Sequence, residues 1–324
     1  MNHIMASAVL TDLFPKLFSN TITPVFRVAE HGALADFILP PGHIIVLGGM
    51  PGVGKSSFIF QVLADFLRLN VDCRALIANV EMDPEELLTR EISRLSGVYL
   101  GFDRAELSDE EKERLQSCKA TLDSYAPRLA IIPMPFTLDD IIEAIDRFNP
   151  TLVVIDYMQC VDTGERGGDN NERLRLNRMV AACRGRVADR IIIMISAIKR
   201  TASNYNPKDL GMDSYRESGG IEYGCNFGYI MIPDVDSNQN GDVKRVILRH
   251  LKSRSTGKKD IHLVFDGRLH RWVGADDVPS SISPENVSDK ETTAQLESIA
   301  PETKTNLLNL WHKHQEKKAS GNGE

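Results

Sequence analysis

The stretch Gly49-Met50-Pro51-Gly52-Val53-Gly54-Lys55-Ser56 reads G-x-x-x-x-G-K-S, and Ser57 follows it. Ahead of it, His43-Ile44-Ile45-Val46-Leu47 is short and apolar enough for a buried strand. Residues 57–69 carry apolar positions at helical spacing. Strand, glycine-rich loop and helix in that order leave few folds open, and they require a sheet whose carboxyl edge carries the loop. The glycines let the backbone wrap so that several N–H groups point at one anion, and the helix N-terminus adds positive potential. Gly49, Pro51, Gly52, Val53, Gly54, Lys55, Ser56 and Ser57 are therefore the expected nucleotide-binding set. Lys55 would reach the β- and γ-phosphates, and the Ser56 hydroxyl would complete a Mg²⁺ shell.

The rest of the chain supplies the sheet. Strands are expected over 74–80, 130–132, 151–156 and 190–195, alternating with helices over 85–97, 109–125, 138–148 and 172–189. Ser108-Asp109-Glu110-Glu111 is a capping box, Thr137 caps the helix that follows it, and Asn149-Pro150 ends that helix. Alternation of this kind implies an α/β fold, a mainly parallel sheet with helices on both faces. Past residue 227 the pattern changes to short strands joined by turns over 229–233, 243–251, 261–266 and 269–273. These are expected to extend one edge as antiparallel strands. The expected domain is 41–274, after an arm over 1–40 with a short helix near Leu10 to Pro15. The tail over 275–324 is rich in Ser, Pro, Glu and Thr up to about residue 303, the composition of disorder. It ends in an amphipathic segment with Leu307, Leu308, Leu310 and Trp311, either a docking helix for a protein partner or a frayed end.

Composition narrows the setting. No apolar run reaches the roughly 18–20 residues of a membrane span, and the N-terminus lacks a basic leader, so a cytoplasmic protein is expected. Cys73, Cys118, Cys160, Cys183 and Cys225 are scattered without a C-x-x-C pair, which suits reduced core thiols and argues against a zinc site. The formal charge is −7, but residues 275–324 hold nine acids against five Lys or Arg. Residues 241–260 hold seven basic residues and two acids, so a local phosphate-facing surface stays open.

Beyond the loop, the chemistry needs carboxylates. Asp156 follows the apolar run Leu152-Val153-Val154-Ile155 at the carboxyl end of an expected core strand, a Walker B pattern whose Asp bonds the Mg²⁺ shell. Glu81 also ends a strand, where it could deprotonate the attacking water or simply favour the N-terminus of the next helix. Lys252 and Arg254 follow a strand whose odd positions are mostly apolar, which would put both cations on its polar side.

Five segments in this order resemble the ATPase domain of the DnaB-type replicative helicases. They are the glycine-rich loop, Asn79-Val80-Glu81-Met82, Ile155-Asp156-Tyr157-Met158-Gln159, Arg216-Glu217-Ser218-Gly219-Gly220-Ile221-Glu222 and Leu251-Lys252-Ser253-Arg254-Ser255-Thr256-Gly257. The Arg216 to Glu222 string is the most discriminating, because KaiC-like and RadA-like relatives share the loop but not that string. The resemblance implies a RecA-like P-loop NTPase in a homohexameric ring acting on single-stranded DNA, with ATP and Mg²⁺. It implies that Glu81 is the catalytic carboxylate and that Lys252 and Arg254 reach the γ-phosphate of a neighbouring subunit. Arg216, Glu217 and Glu222 would be interface or allosteric elements rather than chemical ones. Pore-facing loops would hold DNA phosphates, the candidates being Arg166 and Arg173 in one and Lys199, Arg200 and Lys208 in another. Charged loops of this kind are equally often only solvated.

Two departures qualify it. The family places a glutamine after the strand-ending serine, where this chain has Ser196-Ala197-Ile198-Lys199-Arg200. Only residues 1–40 precede the expected domain, so neither the family's helical N-terminal domain nor primase recruitment through it is expected. Both departures leave a second reading open: an ATP-switched oligomeric scaffold or regulatory ATPase without processive unwinding.

Overall fold

The computed structural model describes residues 5–19, 25–104, 106–164, 171–198, 210–215, 218–234, 242–254 and 256–278. Helix α1 (Ala6–Phe18) leads in, with Val9, Leu10, Leu13, Phe14 and Leu17 exposed. Two short strands, β1 (Phe26–Arg27) and β2 (Ile38–Leu39), pair antiparallel. Phe37 and Leu39 are fully buried, so the core reaches ahead of residue 41. Then come β3 (His43–Gly49), α2 (Lys55–Leu69), β4 (Ala75–Asn79), α3 (Pro84–Ser96) and α4 (Asp109–Tyr125). The chain continues through β5 (Leu129–Ile132), α5 (Leu138–Phe148), β6 (Leu152–Asp156), α6 (Asn171–Arg184) and β7 (Ile191–Ala197). It closes with α7 (Ser218–Gly224), β8 (Phe227–Pro233), β9 (Val243–Ser253), β10 (Ile261–Asp266) and β11 (Arg271–Gly274). The C-terminal segment over 306–318 lies outside the described residues.

The main sheet has nine strands in the order β11-β10-β9-β8-β3-β7-β6-β4-β5. Strands β3, β4 and β6 are buried almost throughout, as a parallel sheet covered on both faces requires. Alternate side chains feed two cores. Ile45, Leu47, Ile77, Val154 and Ile193 pack with Phe58, Leu63 and Phe66 of α2. Ile44, Val46, Val153, Ile155 and Met194 pack with Ile141, Ile145 and Met179 of α5 and α6.

Three expectations need correction. Strand β8 is parallel to β3, not part of the antiparallel edge, which begins at β9. The seven-residue α7 supplies the crossover that a parallel neighbour needs, and it is too short to give a strong periodic signal. Helix α6 stops at Arg184 rather than 189, followed by a turn at Gly185. On β9 the buried positions are the even ones, Val246, Leu248 and His250, so the alternation argument had the wrong phase. A β-bulge rescues the conclusion: the register jumps from Tyr229↔His250 to Gly228↔Lys252. The extra residue turns Lys252 away from the face that buries Leu248 and His250.

The antiparallel edge folds back against the glycine-rich loop. Trp272 stacks on Phe265 with ring centroids 4.5 Å apart and meets Phe58 edge-on at 5.6 Å. Its main chain is held by Gln61, whose Nε2 donates to the Trp272 carbonyl and whose Oε1 accepts from the Trp272 N–H. A Cβ at Gly54 would sit 2.7 Å from the Trp272 ring, so the indole is the wall behind the loop. Trp272→Ala should cost about 3–5 kcal/mol in urea denaturation and Trp272→Phe clearly less. Equal costs for the two would mean that the wall is not made by the indole's bulk.

Candidate active site

The carboxyl ends of β3, β4, β6 and β7 bring together the loop, Glu81, Asp156 and Ala197. Gly54 has φ +95° and Gly52 φ +75°, left-handed conformations that glycine adopts without strain. Helix α2 begins at Lys55 with no side-chain cap, whereas α3, α4 and α5 are capped by Asp83, Ser108 and Thr137. The first N–H groups of α2 are therefore available to an anion. The Lys55 ammonium donates to the Met50 carbonyl at 3.0 Å, and burial lowers its pKa against the pull of Asp156 and Glu81. Lys244 of β9 donates to the Gly52 carbonyl at 3.3 Å.

Asp156 is 1% exposed and pairs in register with Asn79 on the adjacent strand. Burial raises its pKa to about 6, opposed by a hydrogen bond with the Ser56 side chain and by Lys55, and reinforced by Glu81. Asn79 is the organiser that sequence reasoning missed. Its Nδ2 donates to Asp156 Oδ2 at 3.0 Å, and its Oδ1 accepts from the N–H groups of Glu81 and Met82 at 2.8 Å. One amide thus joins the buried carboxylate to the turn bearing exposed Glu81. An Asn at a strand end is a turn-forming signal that could have flagged it. Gln159, quoted in the motif without a role, is the second omission.

The residues fit Mg²⁺–nucleotide. Glycines shape a phosphate cradle, an uncapped helix N-terminus faces it, and Ser56 and Asp156 offer the oxygen donors of a hard cation. Burial, which raises the Asp156 pKa, is only partly offset by Ser56, Lys55 and Asn79. Among the described residues no cluster of three His, Cys, Asp or Glu forms a separate metal site.

Lys252 and Arg254 do not join this group. They lie at the far end of β9 from Lys244, eight residues or roughly 26 Å of strand away. Lys252 Nζ donates to the carbonyls of Glu222 and, at 2.9 Å, of Cys225, while Arg254 Nη2 donates to the Tyr223 carbonyl at 3.0 Å. Arg184 from the end of α6 donates to the Tyr223 and Gly224 carbonyls. Three cations thus gather on the C-terminus of α7, where helix carbonyls carry partial negative charge. Glu222 is exposed, and Arg173 is exposed near the start of α6. Arg166, Lys199, Arg200, Lys208, Arg216 and Glu217 lie outside the described residues.

Sheet order, loop and paired carboxylates define a RecA-like P-loop NTPase. Over residues 38–274 the chain matches the family described as DnaB-like helicase C terminal domain, and it belongs to that family. The solved structure "ATPase Domain of G40P" superposes with a TM-score of 0.69 at 14% identity, covering 84% of this chain and 99% of that one. "The Structure Of A DnaB-Like Replicative Helicase And Its Interactions With Primase" gives 0.70 at 16%, covering 83% and 68%. At these identities the likeness shows the fold. No curated protein matches the chain. Among the described residues no helix is long and apolar enough to cross a membrane.

The Asp156 carboxyl binds its proton more tightly folded than unfolded. Its contribution to stability is therefore full below about pH 4 and is lost as pH rises through about 6. Without Mg²⁺, Asp156→Asn should stabilise the fold at pH 7.5 by about 1–3 kcal/mol, a gain that shrinks as pH falls toward 4. Urea denaturation of both proteins across that range measures it. A destabilised Asn variant at pH 7.5 would show the carboxylate to be well compensated.

Proposed function

We propose that the chain is the ATP-hydrolysing unit of a homohexameric, Mg²⁺-dependent ring motor that translocates on single-stranded DNA in replication, in the cytoplasm. The observation that carries this reading is the distance between the loop and the Lys252–Arg254 pair. A cation pair a strand length away is out of reach of its own phosphate site, as a pair acting on another copy's nucleotide would be, while within this chain it caps α7. The exposed apolar stripe of α1 supports assembly, since such stripes mark interaction surfaces.

In the reaction, the loop N–H groups, Lys55 and Ser57 hold the phosphates, while Ser56 and Asp156 would hold Mg²⁺, which would supply positive charge against the negative charge that develops on the phosphates. Glu81 takes the proton of the water that attacks the γ-phosphate, oriented by the Asn79 amide beneath its turn. Lys252 and Arg254 of a neighbouring copy stabilise the charge that develops on the transferred group. Arg173, with Arg166, Lys199, Arg200 and Lys208, would meet DNA phosphates in the pore.

The second reading, an ATP-switched scaffold or regulator without processive unwinding, is favoured by Ala197. Its side chain cannot hydrogen-bond to a phosphate, and its main-chain N–H is taken by Gln159.

ATPase rates with and without single-stranded DNA, alongside fork unwinding, separate the two. The motor reading expects DNA-stimulated hydrolysis and unwinding, both reduced at least about 100-fold by Lys55→Ala. DNA-independent hydrolysis without unwinding would leave only the switch. Mixing Arg254→Ala subunits with Glu81→Gln subunits should restore hydrolysis at mixed interfaces. Rings shown to be mixed yet inactive would refute action in trans.

A further inference from the structure

Gln159 lies in the 3-10 turn Met158–Cys160, just past Asp156, and its side chain is nine-tenths buried. The ladder between β6 and β7 ends at Ile155↔Met194, yet β7 runs on to Ala197. Those last residues need partners on the side that β6 has left. The Gln159 amide supplies them as a further peptide group would. Its Oε1 accepts from the Ala197 N–H at 3.1 Å, and its Nε2 donates to Ser196 Oγ at 2.8 Å. Ser196 Oγ in turn donates to the Ala197 carbonyl at 3.0 Å. From α6, Arg175 Nη2 donates to the main-chain carbonyls of Gln159 and Val161 at 3.4 and 3.3 Å.

On the other side of β7, at the same height, Ser196 pairs with Gly48 and Ala197 with Gly49, the first residue of the phosphate loop. The amide therefore ties the turn after Asp156 to the strand end that holds the loop. Ser196 shares parity with Ile192 and Met194 in the core opposite α2, so Gln159 acts from the face away from the phosphate loop helix. Asp156 is fixed on its β4 side by Asn79 Nδ2 and by the Val80 N–H, which donates to the Asp156 carbonyl at 2.8 Å. Gln159 is the corresponding tie on the β7 side.

We propose that Gln159 is a positioning residue for the metal: its amide holds the Asp156 turn and the phosphate loop in one geometry, through the main chain of a residue, Ala197, whose own side chain can make no such link. The inference rests on the reading of Asp156 as the Mg²⁺ carboxylate. A tie of this kind governs how well Asp156 Oδ and Ser56 Oγ present themselves together, and leaves the Mg²⁺-independent contacts of the phosphates with the loop as they are.

Titration of a fluorescent ADP analogue with and without Mg²⁺ tests it. In the native chain Mg²⁺ should tighten binding. Gln159→Met, similar in length but without hydrogen-bonding groups, should cut that tightening about tenfold while Mg²⁺-free affinity stays within about twofold. Ser196→Ala, the milder change, should act in the same direction by less, and it decides the matter if the Met variant does not fold. A general structural role would instead weaken binding equally with and without Mg²⁺, and would overturn the proposal. So would full tightening in both variants when Asp156→Asn abolishes it. If Asp156→Asn keeps the tightening, the metal reading itself falls, and the positioning role with it.

Discussion

A carboxylate at the end of a strand buried on both faces is an unfavourable place for a charge, and most of the sheet's carboxyl edge answers that problem. Asp156 reaches almost no solvent, so its ionised form depends on what the protein puts beside it. Asn79 and Ser56 hydrogen-bond to it, Lys55 sits close enough to oppose its proton affinity, and the pKa still stands near 6. The compensation is incomplete because Lys55 is itself desolvated and is bonded to the Met50 carbonyl rather than to Asp156. On the proposed reading, a divalent cation held by Asp156 and Ser56 would complete it. Sites that bind charge are commonly built from groups that are not at ease without it.

The two amides beside Asp156 show how that tension is kept local. Asn79 on one side and Gln159 on the other are neutral donors and acceptors. They hold the turn without adding charge that would raise or lower the carboxylate's affinity for a metal. Each also bonds main-chain groups of a second segment: Asn79 the Glu81 turn, Gln159 the end of β7. The Asp156 turn is thus hydrogen-bonded to both neighbouring segments.

Much of this edge was legible in the sequence because its physics is local. The glycines, the apolar runs ending in Asp156 and Asn79, and the capping boxes at Ser108 and Thr137 each state their demand within a few residues. What was missed depends on pairing between distant strands. The direction of β8 follows from the crossover through a helix too short to show a period. The phase of β9 follows from its pairing with β8, and the face of Lys252 from a bulge in that pairing, neither of which an alternation count contains. Gln159 and Asn79 were present in motifs, but their work lies in bonds to residues 37 and 77 positions away, and the sequence does not show those bonds.

The contacts at the end of α7 show where Lys252 and Arg254 rest within a single chain. Both are hydrogen-bonded to carbonyls that end the helix of the Ser218 to Glu222 motif, and such carbonyls offer about half an elementary charge. A neighbour's nucleotide phosphates offer several full charges. On the proposed reading, exchange of the first for the second is favourable on electrostatic grounds, and what opposes it is the uncapping of α7. Arg184 would lower that opposition, because it also donates to the Tyr223 and Gly224 carbonyls from the end of α6. Three cations crowded on one helix end also repel one another, so departure of two relieves the third. The motif helix and the Lys–Arg pair are thus joined directly by hydrogen bonds.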